Sequence, residues 1–181
     1  MLFRSELTLF SGHGGSGKST LALAWACHVA SGRPWNGLNV RQGKALFVSL
    51  EDPAPVVLFR LQEVGTGYGL NLDTIRAGLT VLDGSTIDAE LAIETDRSRL
   101  ELTPAYSKVA KLAHGCSLVV VDNSSDAFGG NENERRSVRY FMRALKRIAF
   151  EQGAAVLLLS HLDKQSAKGG GRGNSYSGST A

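Results

Sequence analysis

The stretch Gly12-His13-Gly14-Gly15-Ser16-Gly17-Lys18-Ser19-Thr20 has the residue types and spacing of a phosphate-binding loop, G-x-x-x-x-G-K-[ST]. Its glycines let successive backbone N–H groups turn inward around phosphate oxygens. A helix starting at the end of the loop aims its positive end at the same point. In that arrangement Lys18 reaches the β- and γ-phosphates of ATP, Ser19 ligates Mg²⁺ and Thr20 supports the α-phosphate. Gly12 to Ser16 and Gly17 form the cradle.

A phosphate loop that uses Mg²⁺ needs a carboxylate at the end of a neighbouring strand. Asp122, directly after the apolar run Leu118–Val121, has that form; the plainer reading is a strand-end cap. Glu51 follows the apolar run Ala45–Leu50 and can polarise the water that attacks the γ-phosphate. Acids are also favoured at helix starts. Glu51 is read here as the base and Asp52 as the cap of the helix that Pro53 opens. His161 ends a third apolar run, Ala155–Leu159 followed by Ser160, where it serves either as a phosphate donor or as a polar strand terminator.

These residues need a scaffold of buried strands alternating with helices. Leu7–Phe10 reads as a strand before the loop, and Leu21–Ala30 as a helix apolar nearly all round, buried on more than one side and stopped by Gly32 and Pro34. Strands are expected at Ala45–Leu50, Leu79–Leu82, Leu118–Val121 and Ala155–Leu159. Helices are expected from Pro53 to Val64, broken by Gly65, Gly67 and Gly69, and from Thr103-Pro104 to Gly115. A longer helix runs from a cap at Asn131 or Asn133 to Gln152. Residues 83–101 carry no readable pattern. The fold class is α/β, a mainly parallel sheet with helices on both faces.

The 181 residues fit one domain, 1–181, and 43% hydrophobic with 20% charged residues is ordinary globular composition. A net charge of +3 permits nucleic-acid contact without arguing for it. Cys27 and Cys116 lie in apolar stretches without metal-ligand spacing, which suits two buried thiols in a reducing cytoplasm. No leader and no apolar run of membrane length is apparent, so no membrane partner is expected.

GHGGSGKST, SLEDP, VVVDNSSDAFGGNEN and LLLSHLDK together resemble the RecA-like P-loop ATPases. Within them the chain is similar to the plasmid RepA-type hexameric helicases and related phage or plasmid replication ATPases, over about Glu6 to Ala181. The resemblance implies that Glu51, Lys18 and His161 carry catalysis, with Glu51 as base, Asp122 as Mg²⁺ partner and Ser160-His161 as a γ-phosphate sensor. It implies that Arg60 flanks the adenine, although a surface arginine is an equal reading. It also implies a hexamer for the full-length protein, in which a neighbouring subunit supplies an arginine finger. Such ATPases continue past the point where this chain ends, so no finger is assigned. The chain looks like the core of a longer protein or a short relative.

Two basic regions remain. Arg135, Arg139, Arg143 and Arg147, widened by Arg136 and Lys146, form a stripe on the long helix, to be read as solvated surface, subunit contact or nucleic-acid contact in that order. Residues 163–181 are rich in Gly, Ser and Lys, and are expected to be a mobile loop or tail. There Lys164, Lys168 and Arg172 suit single-stranded DNA, and the resemblance places such a loop in a central channel. The leading function is a DNA-stimulated motor ATPase of helicase or replication type. The alternatives are a nucleotide-switched regulator and a small P-loop kinase.

Overall fold

The computed structural model of the chain describes residues 4–95, 99–131 and 134–161. Five parallel strands form the main sheet: β1 (Leu7–Gly12), β2 (Lys44–Ser49), β3 (Leu79–Asp83), β6 (Cys116–Asp122) and β8 (Ala155–His161), in the order β1-β8-β6-β2-β3. Because strand side chains alternate, each central strand feeds two cores. Leu46 and Val48, Val119 and Val121, and Val156 and Leu158 enter one core. Ala45 and Phe47, Leu118 and Val120, and Leu157 and Leu159 enter the other. A sheet buried on both faces accounts for the unbroken apolar runs in the sequence.

On one face lie α1 (Lys18–Ser31), α2 (Ala54–Gly67) and α3 (Leu72–Gly78); on the other lie α4 (Pro104–Leu112) and α6 (Arg135–Gln152). The α/β class with helices on both faces is therefore as the sequence predicts. Helix α1 buries Ala22, Leu23, Ala26, Cys27 and Ala30, and ends at Gly32 in the left-handed conformation, whose N–H donates to His28 O. The two thiols are free and face opposite cores, and burial pushes Cys27 up to about 12, which keeps it an unreactive thiol.

Several local expectations are corrected. Helix α2 runs through Gly65 and Gly67 to a cap at Tyr68, because its buried face of Val57, Leu61 and Val64 outweighs the roughly 1 kcal/mol propensity cost of each glycine. No side chain of its own segment caps α2: the Ala54 N–H donates to Asp83 Oδ2 at 2.7 Å, while Asp52 pairs with Arg60. That N–H, with the N–H and hydroxyl of Ser85, holds the Asp83 carboxyl below its usual range. Asn131 does not cap α6; Glu134 stands at that position, its carboxylate accepting from the Ser137 hydroxyl at 2.6 Å. Asn133 lies outside the described residues. The unpatterned stretch contributes β4 (Ala92–Glu94) and β5 (Leu100–Leu102), which join β7 (Phe128–Gly129) in a small second sheet beside the short α5 (Ser124–Ala127).

Helix α3 packs on α1 where Gly78 meets Ala30, and a Cβ at Gly78 would stand 3.0 Å from Ala30 Cβ and 3.1 Å from Ala30 O. Backbone cannot yield as a side-chain tip can. Gly78→Ala is expected to lower the unfolding free energy by about 1–3 kcal/mol, read as a lower denaturant midpoint at unchanged slope.

Candidate functional site

Parallel register brings the strand ends to one edge. Gly12 pairs with His161 across β1 and β8, and Ser49 with Asp122 across β2 and β6. The loop, His161, Asp122 and Glu51 therefore share the carboxyl edge of the sheet, where open α/β folds bind ligands. Gly15 and Gly17 have φ of 74° and 82°, a region costly for any residue with a Cβ. Gly17 is also the N-cap of α1, which has no side-chain cap, leaving first-turn N–H groups for an external acceptor.

Lys18 is buried and folds back over the loop, its Nζ donating to Gly12 O at 2.8 Å and His13 O at 3.0 Å. A third contact, 3.4 Å, reaches His161 Nδ1, so all three ammonium protons have acceptors. With Nδ1 accepting, the imidazole carries its proton on Nε2, which points to Glu51 Oε2 at 3.4 Å. Asn123 Nδ2 donates to the same oxygen at 2.8 Å. The Asn123 amide has only one orientation, because its Oδ1 accepts from the Ser125 and Asp126 N–H groups at the start of α5. A continuous polar line thus runs from Lys18 through His161 to Glu51 and Asn123.

Burial pushes the Glu51 carboxyl up, but the hydrogen bonds from Asn123 and His161 and the charge of Lys18 outweigh it and hold it below the usual range. Glu51 is half exposed and ionised at neutral pH, and among the described residues Oε1 receives no hydrogen bond. Asp122 is the opposite case. Burial pushes it up, the Ser19 hydrogen bond works against that, and the charges of Glu51 and Asp52 add to the rise. A buried carboxylate beside two others and bonded to Ser19 is a donor set that fits Mg²⁺, and the glycine cradle with a buried ammonium fits a triphosphate.

The sequence-predicted residues Gly12 to Thr20, Glu51, Asp122 and His161 thus come together at one edge. Arg60 sits on α2, bound to Asp52. Lys164, Lys168 and Arg172 lie outside the described residues. Sequence reasoning passed over Asn123, although its place directly after the strand-end Asp122 was the available signal. It also missed a cleft of about 250 Å³ lined by Leu50, Ser85, Asp88, Glu90, Ser125 and Asp126. Three carboxylates make that cleft repel phosphate, so it is not a nucleotide seat.

The family described as AAA domain matches residues 1–167. Among solved structures, the fold matches the crystal structure of the RadB recombinase with a TM-score of 0.58 at 21% identity, over 92% of this chain and 67% of that one. No curated protein matches the chain. The fold is therefore RecA-like, and among the described residues no helix is long and apolar enough to cross a membrane.

Asp122→Asn removes a buried charge and keeps an acceptor for Ser19. Since the folded-state pKa of Asp122 is raised, folding takes up a proton and this carboxyl costs stability as pH rises. The cost is absent below the unfolded value of about 3.9 and complete above the folded one. Ligand-free Asp122→Asn is expected to melt above the parent at neutral pH, with the difference shrinking as pH falls through that window. Thermal melts at stepped pH check this, and a variant melting at or below the parent at neutral pH contradicts it.

Proposed function

This chain belongs to the AAA domain family, and from that premise we propose that it binds ATP with Mg²⁺ at Gly12–Thr20 and hydrolyses the γ-phosphate bond with Glu51 as base. The observation that carries the reading is the polar line Lys18–His161–Glu51–Asn123, with the buried Asp122 and the Ser19 hydroxyl beside it. A phosphate-binding cation, a phosphate-proximal imidazole and an ionised carboxylate at one strand edge are the parts that hydrolysis requires.

In this reading Lys18 exchanges a present contact for β- and γ-phosphate oxygens, Ser19 and Asp122 would hold Mg²⁺, and Thr20 supports the α-phosphate. The metal supplies charge neutralisation on the phosphates. Glu51 accepts a hydrogen bond from the attacking water on its free Oε1 while Asn123 pins Oε2. Asn123 is thus a positioning residue for the base. His161 touches both the phosphate-binding lysine and Glu51, which supports the sensor role. Arg60 flanks the adenine, its guanidinium held on α2 by Asp52.

The finer reading is a DNA-stimulated motor ATPase of helicase or replication type, similar to the plasmid RepA helicases. It acts in the cytoplasm as a hexamer of the full-length protein, with single-stranded DNA held by Lys164, Lys168 and Arg172. Support for DNA as partner comes from the shared fold with a recombinase and from the basic pI of about 9.0.

Lys18→Ala is expected to remove most ATP·Mg affinity; calorimetry showing unchanged affinity in the folded variant would make the site assignment wrong. Glu51→Gln keeps ATP affinity and lowers turnover by roughly 10²–10⁴-fold, the usual contribution of a general base. Phosphate release within a few-fold of the parent would return Glu51 to a structural role.

Asn123→Ala is expected to lower kcat by up to about 10²-fold through misplacement of the base, with ATP affinity retained. Losing the Asn123 hydrogen bond raises the Glu51 pKa, so the acid limb of the kcat profile moves to higher pH. A limb that stays in place would show that Asn123 acts on the fold and not on Glu51.

A further inference from the structure

Helix α6 carries six cations and a single carboxylate between Arg135 and Gln152, a net charge of +5 against +3 for the whole chain. The remainder of the protein is therefore net negative, and the net positive charge of the chain arises from this one helix. The inner face, Phe141, Ala144, Leu145 and Ile148, is buried in the core. Two of the outer cations are engaged. Lys146 pairs with Glu6 at 3.1 Å, and Arg147 lies 4.0 Å from Glu151 and 3.4 Å from the Tyr106 hydroxyl. Arg135, Arg136, Arg139 and Arg143 are exposed and make no ion pair among the described residues.

This arrangement is unfavourable in the free chain on two counts. Arg135, Arg139 and Arg143 are like charges at i,i+4 spacing, which destabilises a helix. Arg135 and Arg136 occupy a first turn without any acidic residue, at the positive end of the helix dipole. Both costs reverse when a polyanion lies along the face. Every unpaired cation is an arginine, whose planar fork matches phosphate. Tyr140, 45% exposed, stands among them, and Phe150, 76% exposed, lies further along the same face. Rings interleaved with cations suit unpaired bases, which can stack, and not a duplex, whose bases are already stacked. The helix is about 27 Å long at 1.5 Å per residue, enough for several nucleotides.

We propose that the outer face of α6 binds single-stranded nucleic acid, with Arg135, Arg136, Arg139 and Arg143 contacting the phosphate backbone and Tyr140 stacking on a base. The inference rests on the reading of nucleic acid as a partner, but places the contact on α6 instead of the segment containing Lys164, Lys168 and Arg172.

The test is fluorescence anisotropy of a labelled oligothymidylate of about 20 nucleotides with the 181-residue chain, between about 50 and 200 mM salt. Arg139→Gln/Arg143→Gln is expected to weaken binding on the order of ten-fold and to reduce the slope of log K against log salt by about 1.4, since each single-strand phosphate contact contributes about 0.7. Tyr140→Ala is expected to weaken binding with the slope unchanged. These side chains are exposed, and unchanged circular dichroism melts verify the fold. Parent affinity and slope in the double variant overturn the proposal. So does tighter binding of a duplex than of the single strand, or a shift in sedimentation mass with DNA binding intact, which would make α6 a contact between copies. Loss of binding only in Lys164→Ala/Lys168→Ala/Arg172→Ala removes the α6 surface and leaves the DNA reading standing, whereas a parent chain that binds no oligonucleotide removes both.

Discussion

Two formal charges are buried among the described residues, Lys18 and Asp122, and both stand at the carboxyl edge of the main sheet. Burying charge is unfavourable unless it is compensated, and here the compensation is incomplete. Lys18 has only neutral acceptors, two loop carbonyls and His161 Nδ1, and Asp122 has the Ser19 hydroxyl together with the unfavourable company of Glu51 and Asp52. Asp122 is fixed at the end of β6 and Lys18 at the start of α1, so both charges stay at this edge. The edge is therefore preorganised for a ligand carrying both signs, anionic oxygens for Lys18 and a cation for Asp122. A metal–triphosphate complex has that pattern, and in the proposed reading its binding would offset the cost of burying these charges.

Most of the central sheet was legible because its strands are buried on both faces and read as short apolar runs. The phosphate loop, Asp122, Glu51 and His161 were legible for a related reason. Each follows such a run directly, so strand parallelism alone gathers them at one edge. What could not be read were elements too short to show a period: α3, α5 and the two- or three-residue strands of the second sheet. The local rules also failed where a distant partner took over. Asp52 has the position of a helix cap but is claimed by Arg60, and the cap comes from Asp83 on a neighbouring strand. Glycines at 65 and 67 read as helix breakers because the buried face that carries α2 past them is set by tertiary packing.

Asn123 shows a different limit. Nothing in its type distinguishes it from a strand-end turn residue, and it does cap α5 through Oδ1. Its proposed role follows from what that cap leaves over. With the oxygen fixed by two backbone donors, the amino group must face outward, and the sheet register puts Glu51 2.8 Å away. Turn chemistry and site chemistry are the two ends of one amide, and only the three-dimensional register joins them.

The three protons of Lys18 link the glycine loop to His161 and, through it, to Glu51. All three are used, at 2.8, 3.0 and 3.4 Å, so Lys18 can donate to a phosphate oxygen only if one of these contacts is given up. The contact to His161 Nδ1 is the longest and the weakest of the three. Releasing it leaves Nδ1 as a free acceptor on a ring whose Nε2 faces Glu51. One imidazole ring thus connects Lys18 to Glu51. In the proposed ATPase cycle this is the shortest route by which the occupied loop can alter Glu51, while Asn123, tied to the backbone of α5, keeps Oε2 in place.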